Sequence, residues 1–210
     1  MDPQNFWVFA LTGLFLNLTP GNDMIYVASR STSQGIKAGI VSALGIMCGC
    51  FVHIVAAEIG LSAIISQSAL IFNFIKYLGA FYLVYLGIRS VLRKKKSIVF
   101  NTGTSVFTYT NIFWQGVLTN MLNPKVALFF LAFLPQFIDF SSTQTHWQIL
   151  FLGSWFNVCG TIINIIVAFL FGKIGNWLSH SPGFLQWQEK ITGMILIGLG
   201  IKVALTKSTS

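Results

Sequence analysis

Apolar stretches separated by short polar gaps make up nearly the whole chain. A membrane-spanning helix needs about 20 mainly apolar residues, and six stretches reach that length. They predict six transmembrane helices, near residues 6–27, 38–65, 70–92, 110–137, 147–172 and 185–205. The gaps leave no room for a soluble domain, so the pattern indicates an all-α integral membrane protein.

The first apolar stretch contains helix-breaking and polar residues in the middle of its length. Proline removes a helical donor and glycine loosens the backbone, so Pro20 and Gly21 predict a break in helix one. Irregular backbone at membrane depth is tolerated only where it is buried in protein or lines a wet cavity. The break therefore predicts a site where a hydrophilic solute crosses. The polar side chains expected at this site are those of Asn17, Thr19, Asn22 and Asp23.

The fourth stretch repeats this theme with Asn120, Asn123, Pro124 and Lys125. Lys125 falls almost at the centre of its stretch, and Asp23 lies about 9 Å from the centre of its own at 1.5 Å per residue. Ionisable side chains at such depth indicate a pathway, a proton relay or an ion pair. In the functional interpretation Lys125 meets a substrate carboxylate, while Asp23 binds an ammonium group or carries a proton. In the structural alternatives the two residues pair with each other, or Lys125 extends toward the interface.

The two halves of the chain resemble each other in order and spacing. The corresponding positions are Gly13…Asn17…Pro20 with Gly116…Asn120…Pro124, Cys48-Gly49 with Cys159-Gly160, and Gly79…Leu86-Gly-Ile-Arg89 with Gly193…Leu199-Gly-Ile-Lys202. Three helices per copy is an odd number, so the second copy must be inverted. Inverted repeats with broken helices are typical of secondary transporters. The predicted organisation is a three-helix repeat in 1–96, a basic and polar linker in 97–109, and a second three-helix repeat in 110–210, with chance similarity between apolar segments as the alternative.

Composition and charge agree with a membrane protein. The chain is 54% hydrophobic and 9% charged, whereas soluble domains carry about 25% charged residues. Five of the thirteen Lys and Arg residues lie between Arg89 and Lys96. Beside a membrane helix such a cluster sets topology or meets anionic lipid, rather than nucleic acid. The bias of Lys and Arg predicts that the basic loop 89–96 is cytoplasmic and that both termini lie outside.

Glu58 is a further acidic residue in apolar surroundings. It lies about 10 Å from the centre of the second stretch, within the half-thickness of a membrane core. A carboxyl group there can carry a proton, so Glu58 and Asp23 are the two proton-carrier candidates. The alternative is that the second helix ends near residue 57 and leaves Glu58 charged and wet at the interface.

Two other classes of function have little support from the residues. Cys50 and His53 lie on nearly the same helix face and suit a soft metal, but two ligands do not make a metal site. No nucleophile–base pair, zinc-protease motif or phosphate loop occurs, so no catalytic residue is predicted. A non-transporting scaffold, in which polar side chains only join helices, remains an alternative. The stripe Asn157, Thr161 and Asn164 is expected to join helices in that way, with part of a pathway lining as the alternative.

Three motifs resemble the signatures of the LysE/RhtB amino-acid exporters, in the same order and spacing from near residue 6 to about 205. They are Leu18-Thr-Pro-Gly-Asn-Asp-Met24 with Gly35-Ile-Lys-Ala-Gly39, Lys76-Tyr-Leu-Gly-Ala-Phe-Tyr-Leu-Val-Tyr-Leu-Gly-Ile-Arg89, and Asn123-Pro-Lys-Val-Ala-Leu-Phe-Phe-Leu-Ala-Phe-Leu-Pro-Gln-Phe137. The chain departs from the family at Asn22, where a second proline is usual, and at Glu58, where a small or apolar residue is usual.

The resemblance implies an exporter of amino acids or close derivatives in the bacterial inner membrane, working as a homo-oligomer. It implies proton antiport driven by the proton-motive force, with alternating access between the two repeats. The expected partners are an amino-acid substrate, protons and membrane lipid, with no cofactor, no resident metal and no nucleic acid. Members of the family export basic amino acids or neutral ones such as threonine, homoserine and leucine. Because the resemblance extends more weakly to cation exporters, export of a metal or organic cation stays an alternative.

Overall fold

The computed structural model of the chain describes residues 3–65, 69–92, 107–140, 142–179 and 182–205. Every regular element within these ranges is helical. The helices are α1 (Pro3–Leu18), α2 (Asn22–Gln34), α3 (Ile36–Ile65), α4 (Ala69–Leu92), α5 (Tyr109–Met121), α6 (Pro124–Leu128), α7 (Thr145–Ser179) and α8 (Pro182–Leu205). A π-helical turn at Phe129–Phe133 and a 3-10 turn at Leu134–Phe137 follow α6.

The predicted break in helix one is confirmed, because α1 ends at Leu18 and α2 begins at Asn22. The helix after the break runs to Gln34, beyond the predicted end of the apolar stretch at residue 27. In its polar last turns, serine and threonine hydroxyls satisfy their own donors on carbonyl groups one turn earlier, as Thr32 Oγ1 does on Ala28 at 2.9 Å. Gly35 then ends the helix with a φ of 85°, a conformation that glycine adopts without steric cost.

The predicted break in helix four is also confirmed. The segment before it, α5, and the segment after it, α6 with its two following turns, meet at a bend of 42°. The π-helical and 3-10 turns were not predicted. Pro135 accounts for them in part, because its ring lacks an N–H group and clashes with the carbonyl group four residues earlier.

Two helical segments, Ile36–Gly60 and Thr145–Ile174, are each long and apolar enough to cross a membrane. The bent pair of α5 and α6 with its turns can form a third span, and Phe6–Leu18 and Tyr77–Leu92 are shorter apolar helices. These segments agree with a multi-pass membrane protein, while the count of six spans stays a prediction. Most of the predicted linker 97–109 lies outside the described residues.

Many large apolar side chains lie on the outside of this bundle, and several polar side chains are buried inside it. Ile59 on α3 and Phe81 on α4 are both 70% exposed. Such exposure would be unfavourable in water, whereas lipid is as apolar as these side chains. Among the residues whose side chains the structure describes, the buried polar ones are Thr12, Thr19, Asp23, Ser31, Ser42, His53, Ser90, Asn120, Asn123, Asn157 and Asn164.

Two apolar clusters lie on either side of the helix breaks. The larger is rich in phenylalanine, and the ring centroids of Phe129 and Phe156 lie 4.3 Å apart within it. The smaller packs α2 against α3 and α7 around Val27 and Val167. Along α7, residues 149–156 belong to the first cluster and residues 163–171 to the second. Polar side chains such as that of Asn157 occupy the level between the clusters, where both breaks lie.

Each break packs against a glycine of a neighbouring long helix. A Cβ atom on Gly49 of α3 would lie 3.0 Å from the Cβ of Asn120, beside the second break. A Cβ atom on Gly160 of α7 would lie 2.9 Å from Oδ1 of Asn17, beside the first break. In the comparison of the two halves, Gly49 corresponds to Gly160 and Asn120 corresponds to Asn17. The two contacts therefore join equivalent residues of the two halves. The two breaks are therefore packed in matching ways.

We expect Gly45→Ala to destabilise the bundle, because a Cβ atom at Gly45 would overlap the backbone carbonyl oxygen of Phe113 on α5. Backbone cannot rotate away as a side chain can, so α3 and α5 must move apart, which costs about 1–3 kcal/mol. The measurement is the unfolding free energy of the purified protein in detergent micelles.

Gly60→Ala is the matched control, because Gly60 lies on the same helix and a Cβ atom there would have no atom of the described residues within 4 Å. Alanine favours helix over glycine by up to about 1 kcal/mol, so this variant should be as stable as the wild type or more stable. Equal stability of the two variants would contradict the close packing of α3 on α5.

Candidate functional site

The first helix break leaves a short extended segment at Pro20 and Gly21. Thr19 closes the end of α1, since both its N–H group and its hydroxyl donate to the carbonyl oxygen of Phe15 at 3.0 Å. Gly21 has extended backbone angles, and no side chain caps the N-terminus of α2. Asp23 lies in the first turn of α2, where the helix dipole favours a negative charge.

The second break is closed by its own residues. Asn123 precedes α6, and its side-chain Oδ1 accepts a hydrogen bond from the N–H group of Lys125 at 3.0 Å. Pro124 occupies the first helical position, where its missing N–H group costs nothing. The N–H group of Asn123 donates to the carbonyl oxygen of Asn120 at 2.8 Å, which tightens the turn.

The Lys125 side chain joins the two breaks. Its Nζ donates to the backbone carbonyl oxygens of Leu16 at 3.2 Å and Thr19 at 3.0 Å. These carbonyl groups belong to the last turn of α1 and the residue after it, where a cation is favoured by the helix dipole. Gly21 leaves room for the ammonium group, because a Cβ atom there would lie 3.2 Å from Nζ.

The Asp23 carboxylate reaches the second break from the other direction. Its Oδ2 accepts a hydrogen bond from Nδ2 of Asn120 at 2.9 Å. His53 of α3 supports Asn120, since its Nε2 donates to the backbone carbonyl oxygen of Asn120 at 2.9 Å. No ion pair joins Asp23 and Lys125 within the described ranges, since their side chains bond other groups. The structure thus differs from the predicted alternative of a direct bridge between them.

Three buried polar atoms at the site have no hydrogen-bond partner among the described residues. Two are acceptors, Oδ1 of Asp23 and Oδ1 of Asn120, and the third is a donor, Nδ2 of Asn123. Buried polar atoms are nearly always paired in folded proteins, so each such atom needs an explanation. The two acceptors suit an ammonium group, and the amide donor suits a carboxylate. The arrangement is complementary to a zwitterion.

The remaining predicted site residues lie at the edge of this arrangement. Asn17 faces α7, where its Nδ2 donates to the carbonyl oxygen of Phe156 at 3.2 Å. Asn22 is exposed at the start of α2, and Pro124 is exposed at the start of α6. Pro20 is half-buried in the segment between α1 and α2. These residues shape the breaks, whereas Asp23, Asn120, Asn123 and Lys125 supply the polar groups.

Glu58 lies apart from this arrangement. Its carboxylate contacts Nδ1 of His146, an exposed residue in the first turn of α7. Five residues separate Glu58 from His53 along α3, which is about 7.5 Å at 1.5 Å per residue. A pairing of Glu58 with a histidine was not predicted, because 88 residues of sequence lie between the two partners.

Among the described residues, Cys50 and His53 do not form part of a metal site. His53 is bonded to Asn120 and stacks on Phe130 with ring centroids 6.1 Å apart. Within the part of the chain that the structure describes, no group of three His, Cys, Asp or Glu side chains is suited to hold a metal. Asn157 joins helices as expected, since its Nδ2 donates to the carbonyl oxygen of Met47 at 3.1 Å.

Comparison with known proteins adds an independent finding. Residues 14–207 match the family described as LysE type translocator. The chain is 34% identical to an uncharacterized membrane protein, YrhP, of Bacillus subtilis, over 90% of this chain and 93% of the relative. It is 32% identical to an uncharacterized membrane protein of Vibrio cholerae, over 99% of this chain and 100% of the relative. It is 27% identical to a leucine efflux protein of Salmonella typhimurium, over 97% of this chain and 96% of the relative. No solved structure matches the chain.

Proposed function

Because this chain belongs to the LysE type translocator family, we propose that it is a secondary active exporter of amino acids or their close derivatives. The family match agrees with the family predicted from the three sequence motifs. Relatives named leucine efflux protein, 27% and 28% identical over most of the chain, favour a neutral amino acid as the substrate. We propose the bacterial inner membrane as its location and the proton-motive force as its energy source.

One observation carries the proposal, namely the buried polar atoms gathered between the two helix breaks. A zwitterionic substrate would offer its ammonium group to Oδ1 of Asp23 and of Asn120. Its carboxylate would receive hydrogen bonds from Nδ2 of Asn123 and from Lys125. Binding would satisfy the atoms that lack partners, so the apolar bundle supports a polar solute at this level and disfavours an apolar one.

In this proposal Asp23 carries the proton that drives export. A protonated Asp23 cannot attract an ammonium group, so proton uptake from outside would release the substrate and proton loss to the cytoplasm would restore the site. Glu58, beside His146, is the second proton-carrier candidate. Exchange of one proton for a net-neutral zwitterion moves one charge inward, which is worth about 2.3 kcal/mol per 100 mV. That energy supports a concentration ratio of about fifty.

Matching packing of the two halves favours alternating access between inverted repeats. Each break lies against a glycine of a long helix from the other half, Gly49 for Asn120 and Gly160 for Asn17. The outer helices of the two halves, α4 and α8, also meet each other, since a Cβ atom on Gly87 would lie 2.5 Å from the carbonyl oxygen of Gly193. In the proposed cycle the halves 1–96 and 110–210 rock about the level of the breaks, with the linker 97–109 in the cytoplasm and both termini outside.

Efflux from cells that overproduce the protein tests the proposal. Cells are loaded with a mixture of labelled amino acids, and loss of each is followed with and without a protonophore. We expect rapid loss of one or a few neutral amino acids that slows when the protonophore is present. Cells carrying the empty vector are the control, and equal loss from both kinds of cell, with the protein verified in the membrane, would refute amino-acid export.

A further inference from the structure

The facing sides of α2 and α5 form a polar contact that leads away from the helix breaks. The two helices run antiparallel, since Asp23 meets Asn120 near one end while Gln34 meets Phe107 at the other. Between these ends, the Tyr26 hydroxyl donates to the carbonyl oxygen of Ile112 at 2.8 Å. We call this contact the α2–α5 seam. Its members are Tyr26, Arg30 and Gln34 of α2, with Phe107, Ile112 and Gln115 on the side of α5.

Arg30 carries the positive charge of the α2–α5 seam and has only neutral partners among the described residues. Its Nη2 donates to Oε1 of Gln115 at 2.8 Å. Its guanidinium carbon lies 4.2 Å from the ring centroid of Phe107 and 5.4 Å from that of Tyr26. No carboxylate forms an ion pair with it in the described part of the chain. A guanidinium has five N–H donors in a fixed fork that matches a carboxylate.

The Arg30 position is separate from the site between the breaks. Arg30 lies seven residues after Asp23 on the same face of α2, which is about 10 Å along the helix. The polar groups of an α-amino acid span less than this distance, so one molecule cannot bind both places through its charged groups. The predicted orientation puts this end of α2 on the cytoplasmic side, because the first and third predicted spans end on the same side and the third is followed by the basic loop 89–96.

We propose that Arg30 receives the carboxylate of the amino-acid substrate on the cytoplasmic side, before the substrate reaches the site between the breaks. This inference rests on the proposed export function. An ionised carboxylate forms stronger hydrogen bonds to a guanidinium than the neutral amide of Gln115 does. The substrate therefore displaces Gln115 from Arg30 and loosens the α2–α5 seam. The rings of Phe107 and Tyr26 beside the guanidinium offer an apolar surface for the side chain of a neutral amino acid.

Inside-out membrane vesicles test this inference, because they expose the cytoplasmic face to the medium. Respiration drives uptake of labelled leucine into such vesicles, and KM and maximal rate are measured for the wild type, Arg30→Gln and Arg30→Lys. We expect Arg30→Gln to raise the KM for leucine about tenfold, which corresponds to one lost ion-paired contact of about 1.4 kcal/mol. We expect Arg30→Lys, which keeps the charge but not the fork, to give an intermediate KM.

Two competitors separate carboxylate binding from a merely structural role. The first, 4-methylpentanoate, has the carboxylate of leucine but lacks its ammonium group. The second, leucinamide, has the ammonium group but carries a neutral amide in place of the carboxylate. Loss of Arg30 should weaken inhibition by 4-methylpentanoate about tenfold and leave inhibition by leucinamide unchanged. Arg89→Gln removes an exposed arginine of α4 outside the α2–α5 seam, and its kinetic constants should equal those of the wild type.

The possible failures are distinguishable. Wild-type vesicles that take up no amino acid above vector vesicles overturn the proposed function and this inference together. Wild-type uptake with an unchanged KM in Arg30→Gln overturns the inference alone. So does equal weakening of both competitors, because loss of packing would affect them alike. If Arg30→Gln does not reach the membrane, an Arg30→Lys variant whose KM for leucine equals that of the wild type overturns the inference.

Discussion

Asp23→Asn is expected to abolish accumulation of amino acid against a gradient and to slow exchange between two amino-acid pools, because asparagine, like a protonated Asp23, cannot attract the ammonium group of the substrate. The substitution keeps the shape of the side chain and an oxygen that can accept the hydrogen bond from Asn120, which measures 2.9 Å in the wild type. It removes the group that takes up and releases a proton. Without the proton, transport of a neutral zwitterion no longer moves charge, so the membrane potential cannot drive it.

The measurement uses purified protein in liposomes with an imposed membrane potential. For one proton per substrate, a potential of 100 mV supports a concentration ratio of about fifty for the wild type. The ratio for Asp23→Asn should fall to about one, because an uncoupled carrier only equalises concentrations. Counterflow of labelled leucine against unlabelled leucine in the same liposomes reports whether the variant still binds and moves substrate.

Glu58→Gln, measured in the same way, tests the second proton-carrier candidate. Glu58 contacts the exposed His146, whereas Asp23 bonds Asn120 at the second break, so Glu58→Gln should keep its coupled accumulation. If Glu58→Gln loses accumulation and Asp23→Asn keeps it, Glu58 is the proton carrier and the role given to Asp23 is wrong. If both variants accumulate leucine as the wild type does, neither carboxylate couples the cycle.

Lys125→Met is expected to destabilise the protein and to stop export. Methionine has a similar length but cannot donate the hydrogen bonds to Leu16 and Thr19, which measure 3.2 and 3.0 Å. An unsatisfied buried acceptor costs about 1–3 kcal/mol, and the Asp23 carboxylate would also lose a nearby cation. We expect the free energy of unfolding to fall by about 2–4 kcal/mol. Export should fall to the background rate because no cation remains between the helix breaks to bind the substrate carboxylate.

The unfolding free energy is measured in detergent micelles for the wild type, Lys125→Met, Asp23→Asn and the double variant. Because Asp23 and Lys125 carry opposite charges beside the same two helix breaks, the double variant should be more stable than the sum of the single effects predicts, by about 1 kcal/mol or more. Lys37→Met removes an exposed lysine of α3, and surface substitutions of this kind change stability by less than about 0.5 kcal/mol. A Lys125→Met protein as stable as Lys37→Met would show that the bonds to α1 contribute nothing.

The helical class and both helix breaks were predictable from the sequence because their causes are local. Membrane helices are recognised by runs of apolar residues, and those runs need no knowledge of neighbouring helices. Proline disrupts a helix through its own ring and its missing N–H group. For these reasons Pro20 and Pro124 indicated the end of α1 and the start of α6 closely. The end of α2 was missed because its last turns are polar, and apolarity alone does not report where a helix leaves the membrane.

The partners of the charged residues were not predictable in the same way. Lys125 bonds carbonyl groups more than 100 residues away, at separations of 109 and 106, instead of pairing with Asp23. Arg30 meets Gln115 across 85 residues, although its spacing of four from both Tyr26 and Gln34 marks one helix face. That face could have been found from the spacing, but not what it contacts.

The sequence by itself determined that this protein is helical, membrane-embedded, broken at two matching places and related to amino-acid exporters. Only the tertiary structure decided that Asp23 pairs with Asn120, that Lys125 holds the end of α1, and that Glu58 lies beside His146. The physical reason is that proline geometry and apolar length act within a few residues of chain. Hydrogen bonds and charge pairs in a membrane bundle depend instead on which helices become neighbours, and that choice belongs to the packing of the whole chain.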